Sequence, residues 1–362
     1  MDPRLADFRK PSWNHCADLS KFKLSIDFNA VRYGKNILPF DHAALQQVFD
    51  ITAPAFDSAF TKNMANITDA RACELLATCT DRPWIVYWSG GIDSTAMITA
   101  ILKNSSAADR ERMTIACNRI SFYENPRFFT EHIRPNFATI DSTWLNVRQY
   151  LRTHYLIDGD LADQLHCSHG VVQTLLCTNP EILNQPFRSN PDHLLETLTH
   201  AVDRPFATWY YENCLANIDS AGIPVETNFD FYWWYSFNFM WSAVKIRGFF
   251  NTMCADATMI DSYRQYQIQW YDTVDYQRWS MNNRQLGMKH GQHVGEYKPE
   301  LKRYIYEFDS NAHYYKFAMK RDSISRIGNH LPWFCLLDDL SVLTLDQDLE
   351  QILELLPAHI ID

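Results

Sequence analysis

The segment Ser89-Gly-Gly-Ile-Asp-Ser-Thr95 combines glycines, hydroxyls and one carboxylate. Glycines let the backbone approach an anion closely, and the first amides of a helix offer unpaired N–H groups at its positive end. Asp93 would repel a bare phosphate, but it suits a site where Mg²⁺ lies between the two. We therefore predict a phosphate-binding loop. The residues predicted to bind the phosphates or their metal are Ser89, Gly90, Gly91, Asp93, Ser94 and Thr95.

A second acidic segment, Asp158-Gly-Asp-Leu-Ala-Asp-Gln-Leu165, follows an apolar run at 154–157 and has the pattern of a strand, a glycine turn and a helix start. Loops at the carboxyl ends of neighbouring parallel strands converge on one crevice. We expect Asp160 and Asp163 to meet Asp93 around one metal. The alternative is structural, with Asp160 capping the helix and Asp163 favoured by the helix dipole.

The surrounding elements must place both loops at one edge of a sheet. From residue 83 onward, short apolar runs alternate with longer amphipathic segments, which is typical of βαβ units and an α/β fold with a parallel sheet and flanking helices. Beyond about residue 185 strand signals fade and helical periodicity dominates. The predicted strands are 84–88, 113–117, 138–140 and 154–157, and the helix after the first strand is 94–102.

Three regions are predicted along the chain. Residues 1–80 form a small N-terminal subdomain with an extended stretch at 22–31 and a helical pattern at 42–49. Residues 81–185 form the α/β core that carries the predicted phosphate-binding loop, and residues 186–362 a mainly helical substrate region. The aromatic run at 229–241 is predicted to be a core helix, or else to line an acceptor pocket.

Composition restricts the function classes. The chain has 362 residues, 46% of them hydrophobic, and a formal net charge of −10, so it lacks the excess positive charge of a broad nucleic-acid binder. Its nine cysteines include no CxxC pair, which suits free thiols in a reducing compartment. A charged N-terminus and the absence of an apolar run of about 20 residues favour a cytoplasmic protein without a membrane span.

The phosphate loop resembles the SGGxDS loop of the ATP pyrophosphatases, or PP-loop enzymes, and lacks the spacing of a Walker A loop or a dinucleotide fingerprint. The second loop resembles the SGEGADEL segment of glutamine-dependent asparagine synthetases, β-lactam synthetases and lasso-peptide cyclases. The resemblance covers residues 80–185 and implies an adenine nucleotide alpha-hydrolase-like fold that uses ATP and Mg²⁺. It implies that Asp93 and Asp163 hold Mg²⁺ and that Asp160 supports the acyl centre, although Leu161 replaces a family glycine.

The same resemblance implies a late lysine that reaches the α-phosphate. Lys320 is the closest match in position and Lys316 is its rival. A lysine there would neutralise charge that develops during adenylation. The alternative is that both belong to a solvated basic helix face.

The resemblance predicts an ATP-dependent, AMP-forming carbon–nitrogen ligase. A small-molecule or peptide carboxylate would attack the α-phosphate, and an amine donor would capture the acyl-adenylate. Position 2 is Asp rather than the cysteine nucleophile of the family's glutaminases, so we expect the amine to come from ammonia, a separate amine-supplying protein or the substrate itself. The alternatives are a PP-loop enzyme that adenylates a tRNA or nucleobase carbonyl, and a non-catalytic nucleotide-binding protein.

Overall fold

A computed structural model describes most of the chain between residues 51 and 318. The described residues are 32, 51–168, 172, 175–176, 178–189, 191–199, 204–242, 244–245, 259–287 and 297–318. The chain divides into two compact units. The sheet unit takes its described residues from 62–160, 265–271 and 291–362, and the helical unit takes its own from 1–61, 161–264 and 272–290.

The sheet unit contains one five-stranded sheet in which every pairing is parallel, in the order β3-β2-β1-β4-β5. This confirms the predicted α/β class with a parallel sheet and flanking helices. The strands are β1 (Trp84–Tyr87), β2 (Met113–Cys117), β3 (Ala138–Asp141), β4 (Tyr155–Asp158) and β5 (Gln267–Gln269).

The central strand β1 is apolar throughout because helices cover both faces of the sheet. Trp84, Ile85 and Val86 are buried, as expected of a parallel strand inside an α/β layer. Trp84 pairs in register with Met113 of β2 and with Tyr155 of β4. The carboxyl ends of these three strands therefore lie side by side, and the segments that follow them share one edge of the sheet.

Helices flank the sheet. The helix α2 (Ile92–Asn104), which follows β1, packs against both α1 (Met64–Thr78) and α13 (Pro299–Asp309). Asn63 caps the first helix by accepting from the Asn66 N–H. Residues 129–133 form one π-helical turn and residues 142–144 a 3₁₀ turn. The α-helices of the sheet unit are α1 (Met64–Thr78), α2 (Ile92–Asn104), α3 (Ala107–Glu111), α4 (Arg119–Glu124), α5 (Pro126–Phe128), α6 (Val147–Tyr150), α13 (Pro299–Asp309) and α14 (Ala312–Phe317).

The strand β5 differs from the sequence expectation, which placed no strand beyond residue 185. It pairs with β4 from Leu156↔Gln267 to Asp158↔Gln269. Three residues reading Gln-Ile-Gln are too short to give a period of two, and the strand forms because the edge of β4 offers backbone partners.

The helical unit is built around aromatic side chains. Every residue of Asn228–Tyr235 is buried, and a π-helical turn at Ser236–Met240 continues it, so the aromatic run forms a core helix as predicted. A 3₁₀ turn lies at Pro180–Asn184. The α-helices of this unit are α7 (Ala162–Leu165), α8 (Asp192–Thr199), α9 (Arg204–Ala221), α10 (Asn228–Tyr235), α11 (Ile260–Tyr266) and α12 (Val274–Gly287).

In the part of the chain that the structure describes, no helix is both long enough and apolar enough to cross a membrane. The patterns at 22–31 and 42–49 lie outside the described residues. The regional boundaries at residues 80 and 185 stay predictions.

Candidate functional site

The phosphate loop lies between β1 and α2, at the carboxyl end of the central strand. Gly90 has a φ of +80°, and a Cβ built on it would lie 2.3 Å from the Ser121 carbonyl oxygen, so only glycine fits. Gly91 precedes the first residue of α2 and no side chain caps that end. The N-cap of this 13-residue helix therefore supplies no side-chain acceptor to the first turn, as an anion site at a helix start requires.

Two serine hydroxyls lie inside the loop. The Oγ atoms of Ser89 and Ser94 are 3.0 Å apart, and the Ser89 N–H donates to Ser94 Oγ at 3.1 Å. The Gly91 N–H faces Ser89 Oγ at 3.3 Å. Both hydroxyls can rotate toward an incoming anion, because they bond mainly to each other and to the loop backbone.

Thr95 supports the loop backbone from its buried side. Its side chain is fully buried, donates to the Gly90 carbonyl at 3.3 Å and accepts from the Trp88 indole N–H at 3.1 Å. The sequence grouped Thr95 with the residues that contact phosphate. The geometry instead places it on the core side of the Gly90 peptide.

Asp93 is paired with a lysine that sequence reasoning missed. Lys298 Nζ lies 2.6 and 2.5 Å from the two carboxylate oxygens of Asp93, and the lysine is only 1% exposed. It has a φ of +48° and precedes Pro299, the first residue of α13. A proline at a helix start was the available signal, but only tertiary packing shows that the lysine before it reaches the loop.

Two tyrosines hold the loop backbone. The Tyr271 hydroxyl, just after β5, donates to the Asp93 carbonyl at 2.9 Å. The Tyr314 hydroxyl, on α14, donates to the Gly90 carbonyl at 3.1 Å. Both ends of the loop backbone thus accept hydrogen bonds from tyrosines that lie about 180 or more positions away in sequence. This separation explains why local sequence patterns did not reveal the two tyrosines.

A second carboxylate lies beside the glycines. Glu124 ends α4, the helix that follows β2, and its Oε1 is 3.3 Å from where a Cβ on Gly91 would stand. Because β2 is the neighbour of β1, the helix that follows β2 lies beside the loop that follows β1. Sequence reasoning did not single out Glu124.

The turn after β4 approaches the start of α2, as the predicted convergence of these two loops requires. A Cβ on Gly159 would lie 3.2 Å from the Ser94 backbone nitrogen. Asp158 shapes the turn, since its carboxylate accepts from the Asp160 N–H at 2.9 Å and from the Gln267 amide at 2.5 Å. Asp160 itself is exposed.

Asp163 belongs to the helical unit, whereas Asp93 belongs to the sheet unit. Asp163 is half-buried on α7, and its carbonyl accepts from the Ser168 N–H at 2.8 Å. Leu161, which precedes α7, has a φ of +77°, a conformation that favours glycine. The role of Asp163 as a metal ligand stays a prediction.

The lysine observed beside Asp93 is Lys298, which is neither of the two lysines named from the sequence. Lys320 lies outside the described residues. Lys316 is exposed on α14, where its ammonium lies 5.1 Å from the centre of the Phe317 ring. The predicted role of Lys320 at the α-phosphate stays a prediction.

Among the described residues, no group of three or more His, Cys, Asp or Glu side chains could hold a metal ion. Mg²⁺ at phosphate sites usually takes one or two carboxylates, with phosphates and water as its other ligands. Asp93 at the loop fits that donor set. The arrangement suits a metal that arrives with a nucleotide better than a dedicated protein cage.

Comparison with known proteins returned no similarity. No protein-family model, curated protein or solved structure matches this chain.

Proposed function

We propose that this protein is an ATP-dependent, AMP-forming carbon–nitrogen ligase with an adenine nucleotide alpha-hydrolase-like fold. The observation that carries the proposal is the Ser-Gly-Gly loop at the carboxyl end of the central parallel strand, with Asp93 paired to a buried lysine. Loops in that position bind ligands in open parallel sheets.

The phosphate chemistry rests on backbone amides. The uncapped start of α2 and the close backbone approach at Gly90 and Gly91 suit the β,γ-pyrophosphate of ATP. The hydroxyls of Ser89 and Ser94 would exchange their bond to each other for bonds to phosphate oxygens.

Lys298 is proposed here as a lysine that supports the phosphate chemistry, beside the role predicted for Lys320. Its ammonium is buried, so its interaction with a phosphate is less screened than at a solvated surface. It would stabilise the negative charge of the departing pyrophosphate. The Asp93 carboxylate aims the ammonium at the loop before ATP binds.

Asp93 would also hold Mg²⁺ on the nucleotide. When bound, Mg²⁺ supplies positive charge that offsets the charge of the phosphates. Asp163 is proposed as a second ligand from the resemblance alone.

The proposed reaction has two steps. A carboxylate oxygen forms a bond to the α-phosphorus while the bond from that phosphorus to the bridging oxygen breaks, which releases pyrophosphate. An amine then attacks the acyl carbon, loses a proton and displaces AMP. The exposed Asp160 lies one residue from the turn that contacts α2, and we propose that it supports this acyl centre.

The partners follow from this chemistry: a small-molecule or peptide carboxylate, and an amine donor that is a small molecule or a separate protein's product. The cytoplasm, where ATP is abundant, is the proposed location.

The test is product analysis with pooled substrates. The protein is incubated with Mg²⁺, ATP labelled at the α-phosphate, and pools of carboxylic acids and amines. We expect AMP and pyrophosphate in equal amounts. ADP and phosphate as the products would overturn the proposal.

Gly91→Ala is the matched variant for this assay. Gly91 has an ordinary φ of −71°, and an added Cβ would meet only the ends of the Ser89 and Glu124 side chains at 3.3 Å. The variant should therefore keep its fold, with a loss of about 1 kcal/mol at most. It should lose AMP formation because the methyl group occupies the mouth of the loop, and undiminished activity would count against the assigned site.

A further inference from the structure

The Gly90 carbonyl faces the core of the sheet unit. It accepts from two hydroxyls, Tyr314 at 3.1 Å and Thr95 at 3.3 Å. Tyr314 is buried, and Thr95 is fully buried. Two donors on one carbonyl fix the plane of the Gly90–Gly91 peptide more firmly than one donor would.

A trans peptide directs its C=O and its N–H to opposite sides. Because the Gly90 carbonyl points to Tyr314 and the core, the Gly91 N–H points to the other side. There it faces Ser89 Oγ at 3.3 Å, on the exposed side of the loop. The hydroxyl of Tyr314 thus sets the direction of an amide that it does not touch.

The surroundings of Tyr314 favour a neutral donor. Burial is the main cause that raises the pKa of its hydroxyl, and the nearby carboxylates of Glu124 and Asp93 raise it further. The hydroxyl stays protonated and can donate throughout the physiological range. Asn311 anchors the residue, since its side chain accepts from the Tyr314 N–H at 2.9 Å.

We infer that Tyr314 is a positioning residue that aims the Gly91 N–H at the pyrophosphate of the nucleotide. This inference rests on the proposed function and adds to it a hydroxyl 224 residues away in sequence from the peptide it orients. Tyr314 does not contact the ligand. Its contribution is to hold the peptide in the binding orientation before the anion arrives.

Tyr314→Phe removes only the hydroxyl and keeps the ring in its buried place. Binding of Mg²⁺·pyrophosphate is measured by calorimetry on the full chain, beside urea unfolding. We expect the dissociation constant for Mg²⁺·pyrophosphate to rise about five- to tenfold, because the loss of one hydrogen bond typically weakens binding by this factor.

Tyr304→Phe is the matched control. Tyr304 is also buried in the sheet unit, and its hydroxyl donates to the carboxylate of Asp69 on α1 rather than to the loop. It should lower stability and leave pyrophosphate affinity unchanged. Equal weakening in both variants, or unchanged affinity in Tyr314→Phe, would overturn the inference.

A second readout separates this inference from the proposed function. In protein labelled with ¹⁵N-glycine, the Gly91 amide signal, assigned through its loss in Gly91→Ala, should move in Tyr314→Phe and stay in place in Tyr304→Phe. If wild type binds neither pyrophosphate nor ATP, the proposed function fails. If wild type binds and the Gly91 signal does not move in Tyr314→Phe, only the positioning role fails.

Discussion

At the scale of single residues, the ion pair between Asp93 and Lys298 lies beside the loop that we propose as the nucleotide site. Both carboxylate oxygens accept from a lysine that has almost no contact with solvent. Removing either partner of such a pair costs more than removing both, because a single change leaves the other charge in a poorly solvated place. Each charge of the pair therefore offsets the cost of burying the other.

The first prediction is a double-mutant cycle on this pair. Asp93→Asn and Lys298→Met should each lower the free energy of unfolding by about 2 kcal/mol, and the double variant should lose less than the sum. Urea unfolding checks this, with Lys316→Met as a surface control that should have little effect. Additive losses would contradict the pairing. Both single variants should also lose AMP formation.

The second prediction concerns Leu161, which has a φ of +77° and is 2% exposed. Replacing its side chain opens a cavity in either of two variants, Leu161→Ala and Leu161→Gly. In an ordinary helix position alanine is the more stable of the two. Here glycine should be more stable by about 1 kcal/mol, because the left-handed backbone strains alanine. Thermal unfolding decides the order, and a more stable alanine variant would contradict this backbone conformation.

Lys298 also shows which residues of the candidate site could not be predicted from the sequence. The Ser-Gly-Gly-Ile-Asp-Ser pattern located the loop, because its glycines and hydroxyls are adjacent in sequence. Lys298, Tyr271 and Tyr314 reach the loop only through the packing of distant segments, which no local pattern encodes. A search for a lysine by motif therefore pointed to residues 316 and 320.

At the scale of elements, α13 carries two buried lysines on one face. Lys298 precedes the helix and Lys302 lies one turn later, with its N–H donated to the Lys298 carbonyl at 3.1 Å. Burial lowers the pKa of Lys302 to about 8. The helix packs against α2, which follows the phosphate loop, and against α1.

The third prediction is a pH dependence of stability that comes from Lys302. Its pKa is about 8 in the folded state and near 10.5 when unfolded, so below pH 8 the folded state carries the full cost of a buried charge. That cost falls as pH rises from 8 to about 10.5 and is absent above. Lys302→Met should therefore be more stable than wild type at pH 7, with a smaller advantage at pH 10.

Comparing urea unfolding of the two proteins at both pH values isolates Lys302, because other groups titrate alike in both. Lys103→Met is the control, since Lys103 pairs with Asp69 on the more exposed side of the same unit. An advantage of Lys302→Met that does not change with pH would show that the Lys302 pKa is not lowered.

The sequence predicted the elements unevenly, for physical reasons. β1, β2 and β4 were located within one residue at each end because buried parallel strands are continuous apolar runs. β5 was missed because its three residues, with a glutamine at each end, carry no such signal. The convergence of the β1 and β4 loops was predictable from the parallel sheet alone, and Gly159 against Ser94 is the contact that shows it.

At the scale of the whole molecule, the proposed reaction requires a source of amine. Cys167 lies between His166 and Ser168, and neighbours of this kind could activate a thiol nucleophile. It is fully buried, and burial, with a further contribution from Asp230, raises the pKa of its thiol well above the ordinary value. The thiolate that attacks glutamine would not form there at neutral pH.

The fourth prediction is that Cys167 does not serve as a glutaminase nucleophile. The purified protein incubated with glutamine should release no glutamate, with or without ATP. Cys167→Ser should leave AMP formation unchanged. Glutamate release that disappears in Cys167→Ser would show that this buried thiol is reactive after all, and the amine source would then lie within the chain.

The central claim is that a substrate carboxylate attacks the α-phosphorus of ATP, and an isotope transfer tests it most directly. The pooled acids are exchanged with ¹⁸O at their carboxylates and incubated with the protein, Mg²⁺, ATP and amines, and the nucleotide products are analysed by mass spectrometry. Attack at the α-phosphorus predicts AMP that carries one ¹⁸O atom, because the acid leaves one oxygen behind when the amine displaces AMP. ADP together with ¹⁸O-labelled phosphate would contradict the account, since it would place the attack at the γ-phosphorus.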